Sequence, residues 1–143
     1  MAKIRNLPYA YRRDIDLSLD LDENNDLKMV TDVDAINQSI YTILSSNFGD
    51  KIMDDRQFGA NLESVLFSNN DVSGFLIYEI KTKIQQAIER YEPDVTGVVV
   101  QVSYDDAHAN SLGILVSYML RDGITNGQFQ SRLFGENGRI VFE

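Results

Sequence analysis

Acidic side chains are the most frequent candidates for chemistry in this chain, and several occur in close pairs. Hydrolysis of a glycosidic bond needs two carboxyl groups, one to protonate the leaving oxygen and one to act as base or nucleophile. The pairs here are Glu92 with Asp94, Glu89 with Glu92, and Asp54 with Asp55. If Glu92 were the proton donor, an apolar pocket would have to keep it protonated. The 22 acids among 143 residues also produce such pairs by chance, and tryptophan, a common sugar platform, is absent. Glycoside hydrolysis is therefore an alternative function.

Two further motifs imitate functional sites. The single histidine, His108, lies in the polar segment 105–111, which also holds aspartates and a serine. A serine triad needs those groups held in three dimensions, so an exposed turn histidine is the favoured interpretation. Residues 20–24 place oxygen ligands at alternate positions, as a calcium loop does. However, Asn25 replaces the turning glycine and Thr31 the bidentate glutamate, so a solvated turn is favoured. We predict no metal and no cofactor.

Composition and charge restrict the class of protein. An apolar content of 43% with seven Phe and seven Tyr predicts a folded domain, and 143 residues are the length of one. The net charge of −9 disfavours nucleic acid, anionic membrane surfaces and anionic cell-wall polymers as partners. No apolar run approaches the length of a membrane span, and no signal peptide is evident, so a soluble, unsecreted protein is expected.

The first two thirds of the chain predict a hairpin and three helices, one of them short. Residues 14–21 alternate polar and apolar side chains, 22–26 have turn composition and 27–30 resume the strand, which predicts a half-buried β-hairpin. A helix capped by Thr31 or Asp32 follows and is expected to stop at Gly49. After a short helix near residues 62–66, a longer one runs to Tyr91, because Pro93 disfavours helical backbone at the residue before it.

The last third predicts β-structure. Alternating apolar residues at 98–104 and 112–120 indicate two antiparallel strands, and Asn-Gly steps at 126–127 and 137–138 indicate further hairpins. The predicted fold class is α+β, with an N-terminal hairpin, two main helices plus a short one, a small mixed or antiparallel sheet, and a C-terminal β-hairpin extension. The predicted divisions are an arm at 1–13, a domain at 14–120 and the extension at 121–143.

Between residues 49 and 94, a series of short motifs resembles that of the baseplate-wedge sheath-initiator family of contractile phage tails and related contractile injection systems. Members of this family are sometimes labelled lysozyme-like. The matching residues are Gly49-Asp50-Lys51, Met53, Phe58-Gly59, Leu66-Phe67 and Glu92-Pro93-Asp94. The resemblance extends over residues 14–120. The family has arginine after the Glu-Pro step, where this chain has Asp94.

The resemblance implies a structural protein of the baseplate wedge and no enzymatic activity. It implies a fold similar to the inner domain of tail-sheath proteins, and a sheet edge that templates the first sheath ring by strand exchange. It also implies docking on the helical core bundle of the wedge through Glu92, Pro93 and Asp94. The sheath-contact residues expected on this basis are Arg132, Leu133, Phe134, Ile140, Val141 and Phe142.

The implied setting is a virion tail baseplate with six copies, assembled in the host cytoplasm, without nucleic acid or membrane as partners. A phage tail and a phage-derived injection device are both compatible with the resemblance. Two simpler interpretations also stay open. Glu92-Pro93-Asp94 would then be a helix stop with a solvated turn, and the C-terminal hairpin would be intramolecular, without a partner.

Overall fold

The structure, a computed structural model, describes residues 12–47, 58–66, 75–104, 111–136 and 139–142. The elements in chain order are β1 (Arg13–Ile15), β2 (Met29–Thr31), α1 (Asp32–Ser45), α2 (Glu63–Leu66), α3 (Phe75–Tyr91), β3 (Val95–Tyr104), β4 (Ser111–Leu120), β5 (Asn126–Glu136) and β6 (Arg139–Phe142). The predicted α+β class, with an N-terminal hairpin, two main helices and a C-terminal hairpin, is confirmed. Within the described ranges, no helix has the length and apolar character required to span a membrane.

Strands β3 to β6 form one antiparallel sheet in the order β3-β4-β5-β6. β5 pairs with β4 from Asn126 opposite Met119 to Phe134 opposite Ser111, so it continues the main sheet. Successive side chains of each strand point to opposite faces of the sheet. The face that carries the apolar side chains packs against α1 and α3. Side chains that form this core are Ile36, Ile40, Ile80, Ile84, Ile88, Val100, Ile114, Val116, Leu120 and Leu133.

Helix α1 begins where predicted, after Thr31, but it ends earlier than predicted. Thr31 has extended backbone and is the N-cap residue by position, but its side chain makes no capping hydrogen bond. The helix ends at Ser45 rather than near Gly49, which lies outside the described residues. Its buried face, with Ile36, Ile40, Ile43 and Leu44, is the one that the periodicity predicted.

The segment around Gly59 explains why α1 ends where it does. Ala60 N–H donates to the carbonyl of Ile43 at 3.0 Å, and Asn61 N–H donates to that of Ser46 at 3.3 Å, so this chain segment satisfies carbonyls at the helix end. Gly59 has a φ of +106°, and a Cβ there would lie 2.3 Å from the Ser46 carbonyl oxygen. Only glycine permits this approach.

The N-terminal hairpin is present, but the prediction that it is half-buried is wrong. β1 has only three residues, because the chain turns at residues 17–18 and Leu19 has a left-handed φ of 57°. Leu17, Leu19 and Leu21 are all more than half exposed. The alternation in the sequence identified apolar side chains that share a face. It could not show whether another part of the protein covers that face.

Candidate protein-contact site at the end of helix α3

Glu92, Pro93 and Asp94 form the corner between α3 and β3. Tyr91 is the last residue of α3, as predicted, and Val95 opens β3. The Glu92 N–H still donates to the Ile88 carbonyl at 2.9 Å, which extends the helical hydrogen bonding by one residue before the proline. Pro93 is exposed, Asp94 is partly exposed, and the Glu92 side chain is only 1% exposed.

Arg12 supplies the positive charge at this corner. Its Nη1 forms an ion pair with Glu92 Oε1 and a second one with Asp94 Oδ2 at 3.2 Å. The Arg12 side chain is 23% exposed and that of Asp94 is 37% exposed, so the guanidinium lies between a buried and a partly solvated carboxylate. A buried carboxylate is tolerated when it is paired in this way.

Glu92 is incompletely satisfied by the described residues. Besides Arg12, its Oε1 accepts a long hydrogen bond of 3.4 Å from the Asp94 N–H. Its Oε2 is buried and has no hydrogen-bond partner among the residues that the structure describes. A buried carboxylate with one oxygen unbonded carries a desolvation cost, so Glu92 depends strongly on Arg12.

Arg121 also bonds to this corner. Its Nε donates to the Pro93 carbonyl, and its backbone N–H donates to the Asp94 carbonyl at 3.0 Å. The corner is therefore anchored by two arginines, one preceding β1 and one following β4. Sequence reasoning missed both. A Glu-Pro step in the sequence marks a helix end, and it does not select two arginines from 13 basic residues.

Tyr118 forms a polar connection between β4 and α1. Its hydroxyl donates to Asn37 Oδ1 at 2.6 Å, and Asn37 Nδ2 in turn donates to the Gln128 carbonyl at 2.9 Å. Burial raises the pKa of the Tyr118 hydroxyl well above its usual value, and the negative charges of Asp34 and Glu92 add to the effect. The network joins helix and sheet without exposing a reactive group.

The second predicted contact region lies on β5 and β6. Leu133 is buried in the core, Arg132 is partly exposed, and Leu133 pairs with Phe142 across the β5–β6 ladder. Phe134 pairs with Val141 and Gly135 with Ile140. The side chains of Phe134, Ile140, Val141 and Phe142 lie outside what the structure describes. Within the described residues, no strand pairs with the outer edge of β6.

Of the motifs considered for catalysis or metal binding, the acidic turn at residues 20–24 has a structural role. Asp22 Oδ1 accepts the backbone N–H groups of Asn24 and Asp26 at 2.8 and 3.0 Å, which organises the hairpin turn. Within the described residues, no group of three or more histidine, cysteine or acidic side chains is arranged to hold a metal ion. His108 and the Asp54-Asp55 pair lie outside the described residues.

The Phe58-Gly59 motif joins the two main helices. The Phe58 ring contacts the Tyr91 ring with 4.8 Å between centroids and a tilt of 58°. Together with the close approach of Gly59 to Ser46, this contact places the start of the α2 segment against the ends of α1 and α3. The motifs at Gly49-Asp50-Lys51, Met53 and Phe67 lie outside the described residues.

Solved structures share this fold. A Geobacter sulfurreducens protein, solved by crystallography at 1.44 Å and provisionally described as a tail lysozyme, superimposes with a TM-score of 0.63 at 21% identity. The match covers 73% of this chain and 92% of that one. A chain in the sixfold-symmetrised cryo-EM structure of the anti-feeding prophage baseplate matches with a TM-score of 0.61 at 20% identity, covering 76% and 85%. No functionally curated protein matches.

The sequence model of the family described as baseplate wedge protein gp25 matches residues 30–123, about two thirds of the chain. The fold and this match define a structural component of a tail baseplate. The chain belongs to the baseplate wedge protein gp25 family. The resemblance inferred from the motifs between residues 49 and 94 is thereby confirmed.

Proposed function

We propose that this chain is a non-enzymatic subunit of a contractile-tail baseplate wedge that templates the first ring of tail sheath by strand exchange. The setting is a virion tail baseplate, or the baseplate of a related injection system, with six copies assembled in the host cytoplasm. Its partners are the tail sheath protein and the helical core bundle of the wedge.

Sheath contact is supported by a difference in regularity between the two outer strands of the sheet, β3 and β6. At one end, β3 has a register shift between Thr96 and Val99, where Gly97 has a φ of 60°. Bulges of this kind discourage pairing with another chain. At the other end, β6 pairs with β5 without a register shift over its four residues. β6 is therefore the edge suited to accept a sheath strand by β-augmentation.

Two proline substitutions on β6 test the strand exchange. Backbone N–H groups of an antiparallel edge strand point alternately to the partner strand and to the free edge, so Ile140→Pro and Val141→Pro remove donors of opposite direction. Of these two variants, the one that loses the N–H facing the free edge should have the higher melting temperature. It should nevertheless fail to support sheath polymerisation on baseplates. Sheath assembly that declines in proportion to lost thermal stability in both variants would contradict the proposal.

The corner at the end of α3 is the proposed contact with the wedge core bundle. Glu92 is buried, so its proposed role is to hold the guanidinium of Arg12, while Pro93 and Asp94 present the accessible surface. In this arrangement the positive charge next to the Glu-Pro step comes from Arg12, because residue 94 is an aspartate. A planar guanidinium donates hydrogen bonds in fixed directions, which a partner can recognise.

Co-purification with the wedge proteins tests this contact. Pro93→Ala combined with Asp94→Lys should lower recovery of the core-bundle proteins at least tenfold while the chain stays folded by circular dichroism. Glu89→Gln, which changes an exposed acid one turn earlier on α3, is the matched control and should leave recovery unchanged. Equal recovery with both variants would assign Glu92, Pro93 and Asp94 to a helix stop only.

Glycoside hydrolysis is the second candidate, because one structural neighbour is provisionally described as a tail lysozyme. A general acid must contact the glycosidic oxygen, and Glu92 is 1% exposed and paired with Arg12, which opposes this role. A zymogram with purified protein decides the matter. Clearing of peptidoglycan that disappears in Glu92→Gln would replace the structural proposal with an enzymatic one.

A further inference from the structure

Exposed apolar side chains are concentrated on the β1–β2 hairpin. Among the described residues, twelve large apolar side chains are exposed, and six of them lie between residues 15 and 29. This set, called here the apolar hairpin surface, consists of Ile15, Leu17, Leu19, Leu21, Leu27 and Met29, with exposed fractions from 41% to 64%. Single exposed apolar residues are ordinary, whereas a cluster of six indicates a contact surface.

The pairing of the hairpin places four of these side chains on one face. Ile15 is directly opposite Met29, and Leu21 is directly opposite Leu27. Residues opposite each other, and residues two apart on a strand, project to the same side. Leu19 adds a fifth exposed side chain from a left-handed backbone conformation with a φ of 57°, which is uncommon for leucine and unfavourable.

The hairpin is held to the domain through its backbone, which leaves those side chains outward. Gln38 on α1 donates from Nε2 to the Ile15 carbonyl at 2.7 Å and accepts the Leu17 N–H on Oε1 at 2.9 Å. At the other end, Asp22 closes the turn by accepting two backbone N–H groups. Defined hydrogen bonds therefore fix the position of the hairpin that carries the apolar hairpin surface.

The charges around this surface select its partner. Residues 15–29, which contain this surface, carry five acids and one base, Lys28. A second copy of this hairpin, an anionic lipid surface or a nucleic acid would each bring further negative charge to that site. We propose that the apolar hairpin surface docks a basic amphipathic segment of a neighbouring protein, with apolar residues against the leucines and Lys or Arg facing the acids. The identity of that neighbour rests on the proposed function: in a baseplate it is another baseplate protein.

The first experiment uses the purified full chain and two synthetic probes. Both are 14-residue amphipathic peptides with the same leucine positions, one with a lysine polar face and one with a glutamate polar face. In fluorescence anisotropy, only the lysine peptide should bind saturably. The double variant Leu17→Ser, Leu19→Ser should weaken it at least tenfold. Ile124→Ser, which alters an 85% exposed apolar residue in the β4–β5 loop, should not.

Two outcomes of this titration would overturn the proposal. Equal affinity for the hairpin variant and the Ile124→Ser control would show that the peptide recognises only overall negative charge. A tenfold gain in affinity on deleting residues 2–11, which contain Lys3 and Arg5, would show that the chain's own N-terminal segment is the occupant.

The second experiment uses assembled baseplates. The chain contains no cysteine, so Leu19→Cys provides a single reactive thiol, with Ile124→Cys as the matched control. Maleimide labelling at residue 19 should slow at least tenfold between the free chain and the baseplate, and more than labelling at residue 124. An incorporated chain with unchanged labelling at residue 19 overturns the hairpin proposal and leaves the wedge role intact. Failure of the Ile124→Cys control to incorporate contradicts the wedge role, and the peptide titration still decides the hairpin proposal.

Discussion

Arg12 and Glu92 form an ion pair across 80 positions of sequence, and this pair joins the start of the N-terminal hairpin to the end of α3. Arg12 comes directly before β1, and its backbone carbonyl and N–H also bond to the N–H and carboxylate of Asp32 at the start of α1. One residue therefore connects the hairpin, α1 and the corner proposed to contact the wedge. The hairpin and that corner are structurally coupled.

Removal of Arg12 should destabilise the fold, because Arg12 is the cation that pairs with buried Glu92 among the described residues. Arg12→Ala is expected to lower the free energy of unfolding by about 3 kcal/mol, the range in which loss of one partner of a buried ion pair falls. Urea unfolding measures it. Adding Glu92→Gln to the same chain should recover part of the loss, because the uncompensated charge is then removed.

Arg13→Ala is the matched control for this experiment, since it changes the adjacent, exposed arginine. Exposed ion pairs contribute little, and the control should change the free energy of unfolding by less than about 1 kcal/mol. Equal losses in the two variants would mean that the Arg12–Glu92 pair is not a significant source of stability.

Gly59→Ala should be strongly destabilising, because it combines a left-handed backbone with a steric collision. The added Cβ would lie 2.3 Å from the Ser46 carbonyl oxygen, so the end of α1 or the 58–61 segment must shift. Gly123→Ala separates the two effects, because Gly123 has a φ of +75° and no atom within 4 Å of the added Cβ. Gly123→Ala should lower the free energy of unfolding only by the backbone strain, about 1 kcal/mol.

Thermal unfolding of the two alanine variants provides the measurement. Gly59→Ala is expected to lower the melting temperature by at least twice the decrease seen in Gly123→Ala, since overpacking adds about 1–3 kcal/mol to the strain. Similar decreases would indicate that the 58–61 segment yields easily and does not determine where α1 ends.

Tyr118 should make the protein sensitive to alkaline pH. Burial raises the pKa of its hydroxyl above the ordinary value of 10.0, so above pH 10 the unfolded chain releases this proton while the folded chain retains it. The unfolded state then binds fewer protons, and the free energy of unfolding falls as pH rises. Below pH 10 both states are protonated, and this residue adds no pH dependence.

Tyr118→Phe tests the assignment through the slope of stability against pH. The variant should lose about 1 kcal/mol at pH 7, because the hydrogen bond to Asn37 is gone, and should show a shallower decline between pH 10 and 11 than the parent chain. Tyr104→Phe, at an exposed tyrosine on β3, is the control and should retain the parent slope. An unchanged slope in Tyr118→Phe would assign the alkaline loss to another group.

The element types and the order of motifs followed from the sequence, because they depend on local spacing. Apolar periodicity identified the buried faces of α1 and α3, proline after Glu92 identified the end of α3, and alternation identified β3 and β4. The motif series from Gly49 to Asp94 predicted the family, which the match over residues 30–123 confirmed. The assignment of Glu92, Pro93 and Asp94 to the wedge and of β5 and β6 to the sheath stays a prediction.

Tertiary structure decided what surrounds these elements. The partner of Glu92 is Arg12, 80 residues away, and local spacing carries no information about a contact at that separation. The end of α1 at Ser45 depends on the approach of Gly59, and the exposure of the hairpin leucines depends on whether another element covers them. The sequence by itself determined which residues are helical, extended or apolar. Only the folded chain decided which charges meet and which apolar face is left open, because those outcomes depend on contacts between distant segments.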